Sequence, residues 1–120
     1  MPITINSQTK YIYAIDFDGT LAVTQYPRIL GPIKCTIETC KELKEEGHIL
    51  ILWTCRRSVA LEEAIKFCEE QGLTFDYINE NVPEMVEFYG SDTRKIFADF
   101  YLDDRMVNVR EMIESCAESA

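Results

Sequence analysis

The chain has 120 residues, 47% of them apolar and 28% charged, with a formal net charge of −9. That length gives one domain (residues 1–120) large enough to bury a core, with the composition of a soluble globular protein. The acidic balance disfavours a broad nucleic-acid interface, which needs clustered lysine and arginine; Arg56-Arg57 and Arg94-Lys95 are the only adjacent basic pairs. No apolar run approaches the ~20 residues of a transmembrane helix, so no membrane partner is expected. Met1 to Lys10 is polar, lacks the apolar core of a signal peptide, and is read as a flexible N-terminal segment. Cys35, Cys40, Cys55, Cys68 and Cys116 are odd in number and scattered, which gives neither a disulfide framework nor a zinc pattern. Most fall on the apolar stripes of predicted helices and read as small buried hydrophobes. A reducing cytoplasm is the expected compartment.

In chain order, Tyr11 to Ile15 is apolar and aromatic and predicts a buried strand. It runs directly into Asp16-Phe17-Asp18-Gly19-Thr20-Leu21. Two carboxylates thus stand at the C-terminal end of a strand, where open α/β sheets bind their ligands. One carboxylate of such a pair can attack an electrophile while its neighbour manages the proton. The plainer reading is a pair of turn-forming aspartates before a glycine. Gly19 to Pro32 is a loop with room only for a helical turn and a small hairpin flap. A helix over 33–46 follows, with the stripe Ile33, Ile37, Cys40 and Leu43 and a stop at Gly47.

His48 to Trp53 predicts a second strand, apolar after its histidine, as a strand covered on both faces should be. Ser58 reads as the N-cap of a helix with Glu62 and Glu63 in its first turn; Leu61, Ala64, Ile65 and Cys68 form its stripe and Gly72 its stop. Phe75 to Asn79 is a short third strand. Residues 79–95 are irregular, with a helical turn at Pro83 to Phe88. Phe97 to Asp103 is a fourth strand that again ends in carboxylates, Asp103 and Asp104. These two also read as the cap and first-turn acid of a last helix, whose stripe is Val109, Met112, Ile113 and Cys116. Repeated βα units predict an α/β fold with a parallel sheet, right-handed crossovers and helices on both faces.

Asp16 to Leu21 matches the Asp-x-Asp-Gly-Thr-Leu/Val signature, and the chain resembles the haloacid dehalogenase-like (HAD) superfamily of phosphohydrolases. Three further stretches match in order, so the resemblance spans about residues 11–117. It implies a three-layer Rossmann-like (HAD-like) fold, with a mostly parallel sheet in the strand order 4-1-2-3 and no separate cap domain. The first and fourth strands are then neighbours, which brings Asp16, Asp18, Asp103 and Asp104 to one crevice.

The resemblance also implies roles. Asp16 attacks phosphorus and forms an aspartyl-phosphate; Asp18 protonates the leaving oxygen and later activates water. Thr54 offers its hydroxyl to a phosphoryl oxygen, with the N–H groups of Cys55 and Arg56 as an added anion nest. Lys95, eight positions before Asp103, clamps the phosphate, with Arg94 as fallback; Ile96 stands where the resembling sequences often carry proline. Mg²⁺ is the implied cofactor, held by Asp16, the Asp18 backbone carbonyl and Asp103, with Asp104 orienting a metal-bound water or the lysine.

Arg56 or Arg57 reaches the substrate or is simply a solvated surface arginine. Cys55 is read as structural and His48 as a surface or strand-start residue. With no cap, the active site is exposed; Tyr26, Arg28 and Ile29 on the flap and Glu84 to Tyr89 are candidate specificity elements. A second subunit can act as the lid. The expected activity is Mg²⁺-dependent hydrolysis of a phosphorylated substrate. A non-catalytic phosphate-binding or regulatory module, or a phosphotransferase on the same fold, are the alternatives. Dehalogenation needs no metal and no second aspartate, so Asp18, Asp103 and Asp104 count against it.

Overall fold

The computed structural model describes residues 3–5 and 8–119. Among these residues, eight strands and four helices follow in the order β1 (Ile3–Ile5), β2 (Gln8–Lys10), β3 (Ile12–Ile15), β4 (Ala22–Gln25), β5 (Arg28–Pro32), α1 (Lys34–Glu45), β6 (Ile49–Leu52), α2 (Ser58–Glu70), β7 (Tyr77–Ile78), α3 (Pro83–Tyr89), β8 (Phe100–Leu102) and α4 (Val109–Ser119). The main sheet has the order β7-β6-β3-β8, and every pairing in it is parallel. None of the helices among the described residues is long and apolar enough to cross a membrane.

The central strand explains the layering. Successive residues of β3 point to opposite faces, and both faces are covered. Ile12 and Ala14 pack with Ile51, Val82, Met85, Ile96 and Ala98, so α3 and the segment before β8 cover one side. Ile15 packs with Leu50 and Leu52 against Ile37 and Cys40 of α1 and Ala64 and Cys68 of α2 on the other. Registry then aligns the site. Ile15 lies opposite Leu52 and Leu102, and the Asp16 N–H donates to the Leu102 carbonyl at 2.9 Å. The carboxylates that follow β3 and β8 therefore emerge side by side.

Two other aspartates complete the sheet at its opposite end. Asp99 Oδ2 accepts the N–H of Ile12 at 2.7 Å, and Asp76 Oδ2 accepts the N–H of the buried Leu50 at 2.8 Å. Each pairs a backbone donor at or near the start of a buried strand. Asp76→Ala leaves the Leu50 N–H unpaired, and an orphaned buried donor costs about 1–3 kcal/mol. Urea unfolding should show a lower midpoint at unchanged slope; an unchanged midpoint would remove this role from Asp76.

Several local expectations are corrected. The polar start of the chain, read as a flexible segment, contains the antiparallel β1–β2 pair. Ser58 is not a side-chain cap: it is the first residue of α2, has φ +53°, and no side chain caps the helix. Glu62 and Glu63 lie beyond the first turn, which holds no acid. The helix α4 forms, but Val109, Met112 and Ile113 are more than half exposed. Amphipathic spacing makes a helix; burial of the stripe needs a surface packed against it. Its start is held by Asn108, whose Oδ1 accepts the Glu111 N–H at 3.2 Å, so neither Asp103 nor Asp104 is its cap. Of the five cysteines, Cys40 and Cys68 are buried, and burial pushes both thiols up to about 12. Cys35, Cys55 and Cys116 are exposed.

Candidate active site

A cavity of about 470 Å³ opens beside the C-terminal ends of β3, β6 and β8, lined by Asp16, Asp18, Thr24, Tyr26, Cys55, Arg56, Asp103 and Arg105. Asp16, Asp103 and Asp104 each bring a carboxylate oxygen within 4.8 Å of the other two. Backbone contacts fix this convergence. Asp103 Oδ1 accepts the Arg105 N–H at 3.0 Å, and the Asp104 N–H donates to the buried Thr20 hydroxyl at 3.1 Å. Gly19 has φ +81°, and a Cβ there would stand 2.5 Å from Asp104 Oδ2. Glycine adopts this φ without strain and leaves room for the Asp104 carboxylate.

The electrostatics follow from the crowding. Burial pushes the Asp16 carboxyl up from 3.8 to about 6, and the charges of Asp103, Asp104 and Asp18 add to it, against a lowering hydrogen bond from the Phe17 N–H. Among the described residues no lysine or arginine forms an ion pair with Asp16, Asp103 or Asp104. An all-oxygen set at this spacing is of the kind that can hold a hard cation, which prefers carboxylate and water ligands. The resemblance leaves open which of Asp103 and Asp104 is the direct ligand, and both bring an oxygen into this cluster. The Asp18 carboxylate, in contrast, is engaged elsewhere.

Asp18 accepts two hydrogen bonds from Arg56: Nε to Oδ2 at 2.9 Å and Nη2 to Oδ1 at 2.8 Å. Thr24 of the flap adds its hydroxyl to Oδ1 at 2.9 Å. Burial alone would raise the Asp18 carboxyl, but these bonds and the Arg56 charge outweigh it and hold it below the usual range. Arg56 is itself almost completely buried. It is thus not a solvated arginine, and its forked face is occupied by Asp18 rather than open to substrate.

Thr54 lies beside the cavity but does not line it. Its N–H donates to Asn79 Oδ1 at 2.8 Å and its hydroxyl accepts the Arg56 N–H at 3.1 Å. The expected anion nest is therefore reduced to Cys55, since the Arg56 N–H already has a partner. Cys55 is exposed and lines the cavity, so it is not a core residue. Lys95 is not brought to the carboxylates' cavity: it is exposed and lines a separate depression with Tyr89, Thr93, Ile96, Phe97, Ala98 and Tyr101. Buried Asn81 holds that segment, accepting the Phe97 N–H at 2.7 Å and donating to Asp92 at 2.8 Å. Thr24 and Arg105 are the lining residues that sequence reading missed; Arg105 is the one with a signal in the chain. Its place directly after Asp103-Asp104 was the available signal, because it leaves the same turn.

No protein-family model matches the chain, and no curated protein does. A solved structure, that of a conserved protein coded by a locus of Bacteroides thetaiotaomicron, is similar: 36% identity, TM-score 0.71, covering 92% of this chain and 93% of that one. With that identity across nearly the full length of both, the chain belongs to the same family as this conserved Bacteroides thetaiotaomicron protein.

Proposed function

We propose that the chain is a Mg²⁺-dependent phosphohydrolase of HAD type that cleaves phosphomonoesters through an aspartyl-phosphate on Asp16. The observation that carries this reading is the meeting of Asp16, Asp103 and Asp104 at the end of the central strand, with Asp18 in the same cavity. The neighbouring β3 and β8 in the order β7-β6-β3-β8, with helices over both faces, support a three-layer HAD-like arrangement.

Asp16, Asp103, Asp104 and the Asp18 backbone carbonyl would hold Mg²⁺. When bound, the ion offsets the carboxylate charge and polarises the phosphoryl oxygens. An Asp16 carboxylate oxygen attacks phosphorus, and the bond from phosphorus to the leaving oxygen breaks. The leaving group departs as its oxyanion and takes a proton from solvent; water then attacks the phosphoryl group as Asp18 takes its proton, the bond from Asp16 to phosphorus breaks, phosphate departs, and Asp18 returns its proton to solvent, so that both aspartates are regenerated. Arg105, which lines the cavity and shows no ion pair among the described residues, supplies positive charge toward the phosphate. Thr54 remains part of the proposal only as a residue beside the cavity, and Lys95, which lines a separate depression, has no assigned step.

The Arg56 pair gives this reading a preference. A carboxylate held ionised has no proton to donate, so the first displacement depends on the leaving group. p-Nitrophenyl phosphate and acetyl phosphate should turn over faster than glycerol phosphate, by about 10-fold or more, the size typical of a missing proton donor. Phosphate release with Mg²⁺ and with EDTA checks both points. Release that survives EDTA, or equal rates for all three esters, would count against the metal or against the leaving-group preference respectively. The second reading, a phosphate-binding module without turnover, draws on the placement of Lys95 outside the cavity. It predicts bound inorganic phosphate and no release from any ester.

A further inference from the structure

Among the described residues, Arg56 heads the fully buried side chains by volume. A guanidinium withdrawn from water needs its charge and its donors answered. Here both are. Asp18 takes the Nε and Nη2 donors, and the Ala60 carbonyl accepts from Nη1 at 3.2 Å. The Phe17 and Tyr26 rings lie against the guanidinium, with their centroids 4.9 and 5.1 Å away. A planar fork bound to both oxygens sets the carboxylate's position and its plane. Three segments thereby converge on one group: the end of β3 through Phe17 and Asp18, the loop after β6 through Arg56, and the flap through Thr24 and Tyr26. Tyr26 is 65% exposed, so the flap side of this assembly faces solvent.

We infer that Arg56 is a positioning residue, which aims the Asp18 carboxylate at the cavity and is itself held by Tyr26 of the flap; this rests on the phosphohydrolase reading above. Lysine would keep the charge but not the fork, because an ammonium is a point donor on a flexible stem. The position of the flap then becomes a condition for the proton step. Residues distant in sequence act on one side chain, so their effects share a common path.

The test is a double-mutant cycle on p-nitrophenyl phosphate turnover with Mg²⁺. Arg56→Lys should lower kcat about 10- to 100-fold, the range expected for a misaimed catalytic group, with KM within about 2-fold. In the Asp18→Asn background the same replacement should change kcat by less than about 2-fold, because both changes act through one carboxylate. Losses that multiply, or a raised KM at unchanged kcat, would overturn the inference; the latter would make Arg56 a substrate contact. Should Arg56→Lys fail to fold, the exposed Tyr26 decides. Tyr26→Ala should lower kcat at unchanged KM and Tyr26→Phe should restore it; wild-type kcat in Tyr26→Ala would overturn the coupling. A wild-type protein that releases phosphate from no ester removes the phosphohydrolase reading and this inference with it. An active wild type with multiplying losses removes this inference alone.

Discussion

Asp16→Asn is expected to abolish phosphate release, by about 10³-fold or more, as removal of a nucleophile does elsewhere. The amide keeps the size and most of the hydrogen bonding of the carboxylate but cannot form the proposed phosphoenzyme. The fold should survive, and its stability should rise rather than fall without metal. Burial and three neighbouring carboxylates raise the Asp16 carboxyl from 3.8 to about 6, so the folded protein binds that proton more tightly than the unfolded chain. The corresponding stability is fully present below about pH 4 and is lost as the pH rises through about 6. Asparagine carries no charge to be repelled. At about pH 7.5 the variant should therefore melt at or above the wild-type temperature, and the gap should close near about pH 4. Thermal melts in EDTA at the two pH values, beside the release assay, measure both effects. Retention of more than about a tenth of the activity would remove Asp16 as the nucleophile.

Gly19→Ala should be the most damaging single methyl in the site. Gly19 has φ +81°, a conformation that costs an L residue about 1–2 kcal/mol. The added Cβ would also stand 2.5 Å from Asp104 Oδ2 and 2.9 Å from its Cγ, and overpacking of this kind costs about 1–3 kcal/mol. Together they predict about 2–5 kcal/mol, a fall in Tm on the order of 10 °C. Gly90 provides the comparison. It has the same φ of +81°, but nothing lies within 4 Å of its missing Cβ. Gly90→Ala should therefore lose only the backbone part, about 1–2 kcal/mol. The difference between the two isolates the contact with Asp104. If the clash is relieved by moving Asp104, Gly19→Ala should also need more Mg²⁺ for half-maximal release. Equal melting temperatures for the two variants would show that the Gly19–Asp104 approach carries no constraint.

Legibility in the sequence tracked the range of the interaction. Periodicity and turn chemistry are properties of a few neighbouring residues. The alternation of strands and helices, the flap hairpin and the carboxylates at the ends of β3 and β8 could therefore be read directly. The parallel sheet followed from the repeated βα units, because a parallel neighbour requires a crossover. Where an expectation missed locally, as at Ser58, a backbone conformation specific to its turn displaced the usual cap.

Burial and ion pairing are set by segments that meet only in the fold. Arg56 and Asp18 are 38 residues apart, and nothing around Arg56 in the chain distinguishes it from a solvated arginine. The closure of β6 beside β3, with the flap laid over them, makes it the most deeply buried cation and turns Asp18 into its partner. The same reasoning separates Cys40 from Cys55, one side chain in two environments, and Lys95 from Arg105, two cations of which only the second lines the cavity. The stripe of α4 is the converse, an apolar pattern that forms its helix and finds no cover among the described residues. The chemistry of the chain, two acids after a strand, belongs to the sequence. Which cation holds which acid, and so which proton can move, was decided by the tertiary structure, because charge pairing depends on distance through space and on exclusion of water.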